Sequence, residues 1–478
     1  MNTLRKTPFL KKFVGDKEFY KKVMYVAVPI MLQNGITNFI GLLDNAMVGQ
    51  LSTEVMSGVA IVNQLMMIYF LCIFGGCAGA GIYTAQYYGQ GNQEGIQNTF
   101  RFKLWMLFIL TTIAAGIFLI YGKDLIWLYL SGSPDGGDLA LAQQAGWEYL
   151  KIILCSLVPF MLLQVYVSTL RECGETVVPM KAGICGVFVN LCFNYLLIYG
   201  KFGFPQLGVR GAALATLISR IVETSIVIVW THKNKEKNPF IVGIYQTVGV
   251  PVHLAKAFFL KGLPLLINET LWSSGVATIT QCYSMRGLNV VAGLNIANTI
   301  NNVFNVVFIA MGDAVAIIVG QLLGAGKLKE ARDTDNKIIA FSVAACVLIS
   351  GLMILVSPIF PQIYNTNARA KQIATHFIIA QAVFLPQMAF LHACYFTLRS
   401  GGKTVITFLF DSVFMWLVSV PLAYFLIHHT GLYVIYVFAC IQIADWIKCI
   451  VGFVLVKKGV WLQNIVQDAE KTKTTQDS

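Results

Sequence analysis

Acidic and amide side chains set inside long apolar runs are the residues of this chain best suited to chemistry. Asp44 lies late in an apolar stretch that also holds Asn34, Thr37, Asn38, Gly41 and Asn45. The spacing 37, 41, 44 places Thr37, Gly41 and Asp44 on one helical face. Asn190 and Asn194 are one turn apart, so their amides point the same way. With Asp44 and Thr216 they supply the oxygens that a hard cation needs, and one carboxylate among neutral oxygens is equally a proton site. A second group begins at Glu269, five residues after Pro264. Asn295, Asn298, Asn302 and Asn305 follow at intervals of three, four and three, which is again one helical face. Glu269, Asn298, Asn302, Asn34, Asn38 and Asp411 form the candidate set for a substrate or a second cation. The competing reading for all of these groups is hydrogen bonding between helices.

The remaining charges are expected to play structural parts. Arg220 and Glu223 are three residues apart, as are Asp445 and Lys448, a spacing that favours mutual neutralisation. His392 reads as a packed hydrogen-bonding residue, and Arg171 and Arg399 as interfacial anchors at cytoplasmic helix ends. No metal-ligand spacing is present, and no nucleophile stands with a base, so neither a metal site nor an enzyme is expected.

The elements that must carry these residues follow from composition. Of 478 residues, 56% are hydrophobic and 12% are charged, against about 25% charged in soluble domains. Such a chain reads as an all-α protein with many membrane spans. Its continuous apolar runs lack the alternation of a transmembrane barrel. The net charge of +12 is not gathered on an exposed polar module, so no nucleic-acid partner is expected. The eleven cysteines are scattered through apolar stretches as small buried hydrophobes.

At about 20 residues per span, the pattern predicts twelve helices. Residues 1–22 form a basic N-tail, 23–231 a six-helix lobe, 232–258 a linker with an amphipathic segment near His253–Phe259, 259–456 a second six-helix lobe, and 457–478 a C-tail. The first apolar stretch ends without a small-residue cleavage site, which argues for an uncleaved first helix. Of the 35 lysines and arginines, 26 fall in connections on one side and six on the other. Positive charge marks the cytoplasmic side, so both termini are expected there.

The second half restates the first. Gln86-x-x-Gly89-x-Gly91 recurs as Gln321-x-x-Gly324-x-Gly326, and Pro29 and Asn63 recur as Pro264 and Asn298, all 235 residues on. Thr169-Leu170-Arg171 recurs as Thr397-Leu398-Arg399 at an offset of 228. Six helices per repeat return the chain to the same side. The lobes are therefore expected as parallel repeats about a pseudo-two-fold along the membrane normal, with a substrate site between them. The four glycines of the paired motifs read as left-handed helix caps.

The duplicated QxxGxG, the LR-x-x-G-x-T boundary, Asn190-x-x-x-Asn194-Tyr195 ahead of Ile198-Tyr199-Gly200, and Gly211-Ala212-Ala213-Leu214-Ala215-Thr216 together resemble the MATE (multidrug and toxic compound extrusion) transporters, over roughly residues 22 to 460. The resemblance implies a multi-pass protein of a bacterial plasma membrane that expels lipophilic, often cationic, small molecules in exchange for H⁺ or Na⁺, without a further cofactor. It also implies a coupling carboxylate at Asp44 and a cation- or substrate-binding role for Glu269. Some relatives carry a second acid where Asn194 stands, and another in the tenth helix, where this chain reads Pro386-Gln387-Met388. The alternative is a flippase for lipid-linked oligosaccharides from the same superfamily, disfavoured because the mid-span charges are mostly acidic.

Overall fold

The computed structural model describes residues 12–130 and 138–467. The chain runs through α1 (Lys17–Gly49), α2 (Thr53–Gln90), α3 (Gln93–Leu130), α4 (Leu139–Glu172), α5 (Val177–Tyr199) and α6 (Val209–Lys233). It continues through α7 (Val252–Ser284), α8 (Leu288–Gly324), α9 (Leu328–Val356) and α10 (Ala368–Ser400), then α11 (Thr404–His429) and α12 (Val434–Lys458). Among the described residues there is no strand. Local signals set several boundaries. Asp138 accepts the Leu141 N–H at the start of α4, and Asn367 accepts that of Ala370 at the start of α10, each satisfying a donor that the first turn leaves open. Gly200 ends α5 with φ at +65°.

Ten of these helices, among the described residues, are long and apolar enough to cross a membrane. The protein is thus a multi-pass membrane protein. α1 and α7 fall outside that set although each is 33 residues long. In α7 the apolar run is interrupted by Asn268, Glu269, Ser273 and Ser274. In α1 several side chains between 40 and 46 lie outside the description.

The chain divides into two compact units. The N-terminal unit comprises Leu32–Thr84 and Gln93–Gly262; the C-terminal unit comprises Met1–Met31, Ala85–Asn92 and Leu263–Ser478. The divisions in α1 and α7 fall close to Pro29 and Pro264, where proline removes a helical hydrogen bond. Within the N-terminal unit, residues after α6 form a short 3₁₀ turn at Pro239–Ile241 and then a strap across α3. Gln97 and Trp105 donate to the carbonyls of Val242 and Val248, and Arg101 Nε to that of Ile244. The expected amphipathic segment forms the first turns of α7, which starts at Val252 rather than 259. There Leu254 and Phe258 are buried while Lys256 and Phe259 are exposed.

In the C-terminal unit the paired glycine motifs divide into two jobs. Gly91 and Gly326 have φ of +78° and +73° and are the left-handed caps. Gly89 and Gly324, expected to be caps as well, are instead contact points. A methyl group on Gly89 would stand 1.8 Å from the Gln321 carbonyl oxygen, and one on Gly324 would stand 1.8 Å from that of Gln86. The ends of α2 and α8 therefore cross with their backbones touching, each glycine facing the other motif's glutamine.

The segment after α12 seals this crossing. Trp461 is fully buried, and its carbonyl packs where a methyl group on Gly401 would sit, 1.9 Å away. The buried Gln86 amide donates to the carbonyls of Ser400 and Gln463, and its oxygen accepts the Ile465 N–H. Asn464 donates to the Gly324 carbonyl.

Candidate functional site

In the N-terminal unit α1, α5 and α6 bring together the four residues read as a coupling site. Asn194 Nδ2 donates to Asp44 Oδ1 at 2.5 Å and to Asn190 Oδ1 at 3.1 Å. Asn190 Nδ2 in turn donates to Thr216 Oγ1 at 3.4 Å. Asn190 and Asn194 are buried and Asp44 is half-buried. The Asn194 carbonyl oxygen is buried without a hydrogen-bond partner, an unusual condition for a polar atom in a folded core. It is an acceptor held beside a carboxylate. Two residues stand beside this row beyond the sequence reading: Tyr149 on α4, within electrostatic reach of Asp44 and Thr216, donates to Asn63 Oδ1 at 3.5 Å. Asn63 gave a signal only as a member of the repeat; Tyr149, an aromatic in an apolar run, gave none.

Asp44 is in no ion pair among the described residues. The base acting on it is Arg220, which is held by Glu223 at 2.8 Å, the neutralisation expected from their spacing. Elsewhere on α1, Thr37 turns back to the Gln33 carbonyl, Asn34 is half-buried, and Asn38 is exposed. Gly35 and Gly41 border open space. Arg171 on α4, expected as an interfacial anchor, is half-buried and donates to the Gln33 side chain of α1.

The C-terminal unit gathers a second polar cluster from α7, α10, α11 and α12. Its centre is Asn268, the neighbour of Glu269, which the sequence reading passed over. The Asn268 amide donates to Asp411 Oδ2 at 3.1 Å and to the Tyr395 hydroxyl at 3.4 Å. Ser412 Oγ lies 2.6 Å from the Asn268 side-chain oxygen and 2.9 Å from its backbone oxygen, with one hydrogen to give to either. Asp411 and Ser412 lie in a π-helical turn, Leu409–Val413. Such turns are rare and frequent at functional sites. Arg399 and Asp411 are the charged groups that act on Glu269.

Arg399 corrects an expectation. It is only 8% exposed, its guanidinium lies 4.9 Å over the Phe396 ring, and it is within electrostatic reach of Tyr395 and Glu269. It is therefore an inward-facing base and not an interfacial anchor. Lys448 pairs with Asp445 at 3.0 Å, as their spacing led one to expect. Asn298 accepts from Gln381 of α10 at 3.1 Å, Asn302 is exposed, and no hydrogen bond among the described residues joins Glu269 to Asn298. His392 packs against Phe308, Tyr395 and Phe396, and its Nε2 is buried without a partner. Rings hold it where a hydrogen bond was expected.

Among the described residues no three His, Cys, Asp or Glu side chains form a group suited to a metal ion. What the arrangement offers is two half-buried carboxylates, Asp44 and Asp411, each accepting from an asparagine amide.

Comparison with known proteins accounts for this arrangement. The chain is 24% identical over 414 residues to the probable multidrug resistance protein NorM of Thermotoga maritima, covering 86% of each chain. It is 25% identical over 434 residues to the probable multidrug resistance protein YoeA of Bacillus subtilis, covering 89% of this chain and 90% of that one. A mutant form of the MATE transporter VcmN of Vibrio cholerae has the same fold, with a TM-score of 0.82 at 17% identity, over 94% of this chain and 98% of that one. The family model of MatE matches residues 29–196 and 264–425. The chain therefore belongs to the MatE family, whose members are transporters and not enzymes.

Proposed function

We propose that this protein exports lipophilic, cationic small molecules from the cell in exchange for H⁺ or Na⁺, with Asp44 as the group over which the two cations compete. The observation that carries this reading is the row Asp44, Asn194, Asn190, Thr216, in which a carboxylate with no ion pair among the described residues accepts from a neutral amide. An organic cation is attracted while Asp44 is charged. A proton or sodium ion arriving from outside neutralises it and removes the attraction, so the compound leaves outward. The orphaned Asn194 oxygen is an added ligand for a sodium ion, and the carboxylate alone suffices for a proton. Each charge moved inward draws about 2.3 kcal/mol per 100 mV from the membrane potential.

The same reading makes α1 and α7 membrane spans as well. A 33-residue helix is about 50 Å long at 1.5 Å per residue, more than a bilayer core needs. That gives twelve spans in two lobes of six within the plasma membrane, with both termini cytoplasmic. The 26-to-six division of basic residues and the reciprocal Gly89–Gln321 and Gly324–Gln86 contacts support it.

The test is dye efflux from proteoliposomes under an imposed pH gradient and, separately, an imposed sodium gradient. Asp44→Asn is expected to abolish gradient-driven efflux while leaving the protein folded and inserted. Undiminished efflux in that variant would overturn the proposal.

A further inference from the structure

The two repeats handle one buried position in opposite ways. In the first, Lys103 on α3 is fully buried and donates to Thr169 Oγ1, to Ser168 Oγ and to Glu172 Oε2. The Thr169 hydroxyl gives its own hydrogen to the Val165 carbonyl one turn back. It therefore accepts from the lysine and donates to the backbone, and the lysine charge is balanced by Glu172. The offsets of 235 and 228 place Ile338 where Lys103 stood and Ser400 where Glu172 stood, so both charges of the pair are gone from the second repeat.

The second repeat keeps the threonine and introduces a lone acid. Thr397 Oγ1 lies 2.9 Å from the Ala393 carbonyl, the counterpart of the Val165 contact, and 2.6 Å from Asp335 Oδ1 on α9. Asp335 aligns with Phe100 and is fully buried, and its Oδ2 has no hydrogen-bond partner. A hydroxyl has one hydrogen. With an ionised Asp335, Thr397 faces two acceptors and can satisfy only one. With Asp335 protonated, the acid donates to Thr397 and Thr397 donates to Ala393, which restores the pattern of the first repeat with a carboxylic acid in place of the lysine.

The surroundings supply no countercharge. On α9 itself Asp333 and Lys337 pair with each other, and Arg332 reaches the Lys457 carbonyl at the end of α12. The ionisable group of α10 coupled to Asp335 is the Cys394 thiol. No basic side chain among the described residues acts on Asp335. An ionised carboxylate with one hydrogen bond in such a place is strongly disfavoured. Among the described residues the one side chain bonded to this carboxylate is the Thr397 hydroxyl, too few ligands for a hard cation.

We propose that Asp335 is a proton-binding site of the C-terminal unit, occupied in this conformation and separate from Asp44. The test is the infrared carbonyl stretch of protonated carboxyl groups, recorded on the purified full-length protein in lipid nanodiscs at neutral pH. The wild type is expected to show a protonated-carboxyl component that is absent from Asp335→Asn and retained in Asp44→Asn. Thr397→Val removes the acceptor and should shift that component to higher wavenumber, a readout that stands even if Asp335→Asn cannot be purified. A component that survives Asp335→Asn, or that Thr397→Val leaves unmoved, overturns the proposal. Neither readout requires transport, so its failure is distinguishable from failure of the antiport reading.

Discussion

An amide nitrogen has two hydrogens, and Asn194 commits both of them, one to Asp44 and one to Asn190. It is therefore the joint of the N-terminal site, and removing it takes the donor from two acceptors at once. Losing a hydrogen bond to a charged group costs about 1.5–3 kcal/mol. Asn194→Ala is thus expected to lower efflux at least about tenfold, while Thr216→Ala, at the far end of the row, has the smaller effect. Initial rates of dye export in proteoliposomes check this order. Asn268 plays the corresponding part in the C-terminal unit. Asn268→Ala frees Asp411, Ser412 and Tyr395 together, and is expected to destabilise by about 2–3 kcal/mol, read as a lowered melting temperature in detergent. Asp44, Asn190, Asn194 and Thr216 were legible in the sequence because an acid and two amides are conspicuous in an apolar helix. Asn268 was overshadowed by the acid beside it. Arg399 was misread because a basic residue near a helix end looks like an anchor until the neighbouring helices are seen to enclose it. Asp335 escaped notice because the polar first turns of α9 disguise its burial.

At the scale of the element, helix positions were readable from apolar run length, and the ends of α2 and α8 from the caps Gly91 and Gly326, whereas the capping residues Asp138 and Asn367 went unread. What a sequence motif does not reveal is which of its glycines turns the chain and which lets another helix approach. The structure separates them, and so can an experiment. Gly91→Ala asks only for a strained backbone and is expected to cost about 1 kcal/mol. Gly324→Ala drives a methyl group into the Gln86 carbonyl; the helices must part, at a cost of about 3 kcal/mol or more. Thermal denaturation of the two variants, followed by size-exclusion fluorescence, should place them in that order. Equal stability would mean that the α2–α8 crossing is looser than described. The π turn at Leu409–Val413 left no mark in the sequence, because the contact it serves, Ser412 with Asn268, joins residues 144 apart.

For the whole molecule, the proposed topology places both ends of the chain in the cytoplasm. Single cysteines introduced at position 2 and at position 470, in a background where Cys155, Cys185 and Cys192, the exposed cysteines, are replaced, should react with a membrane-impermeant maleimide only in inverted vesicles. Reaction at either position in right-side-out cells would reverse the assignment. Trp461, Gln463, Asn464 and Ile465 carry a further consequence. Trp461 packs on Gly401, and the other three bond to Gln86 and Gly324, which precede them by as many as 379 residues. A growing chain therefore inserts its helices one after another while the knot at the ends of α2 and α8 still waits for its last strand. Ribosomes halted anywhere before residue 461 should hold a bundle whose cytoplasmic end is open to protease. That end becomes resistant only once those few residues have emerged, so the final step of maturation belongs to the part of the chain that looks most dispensable.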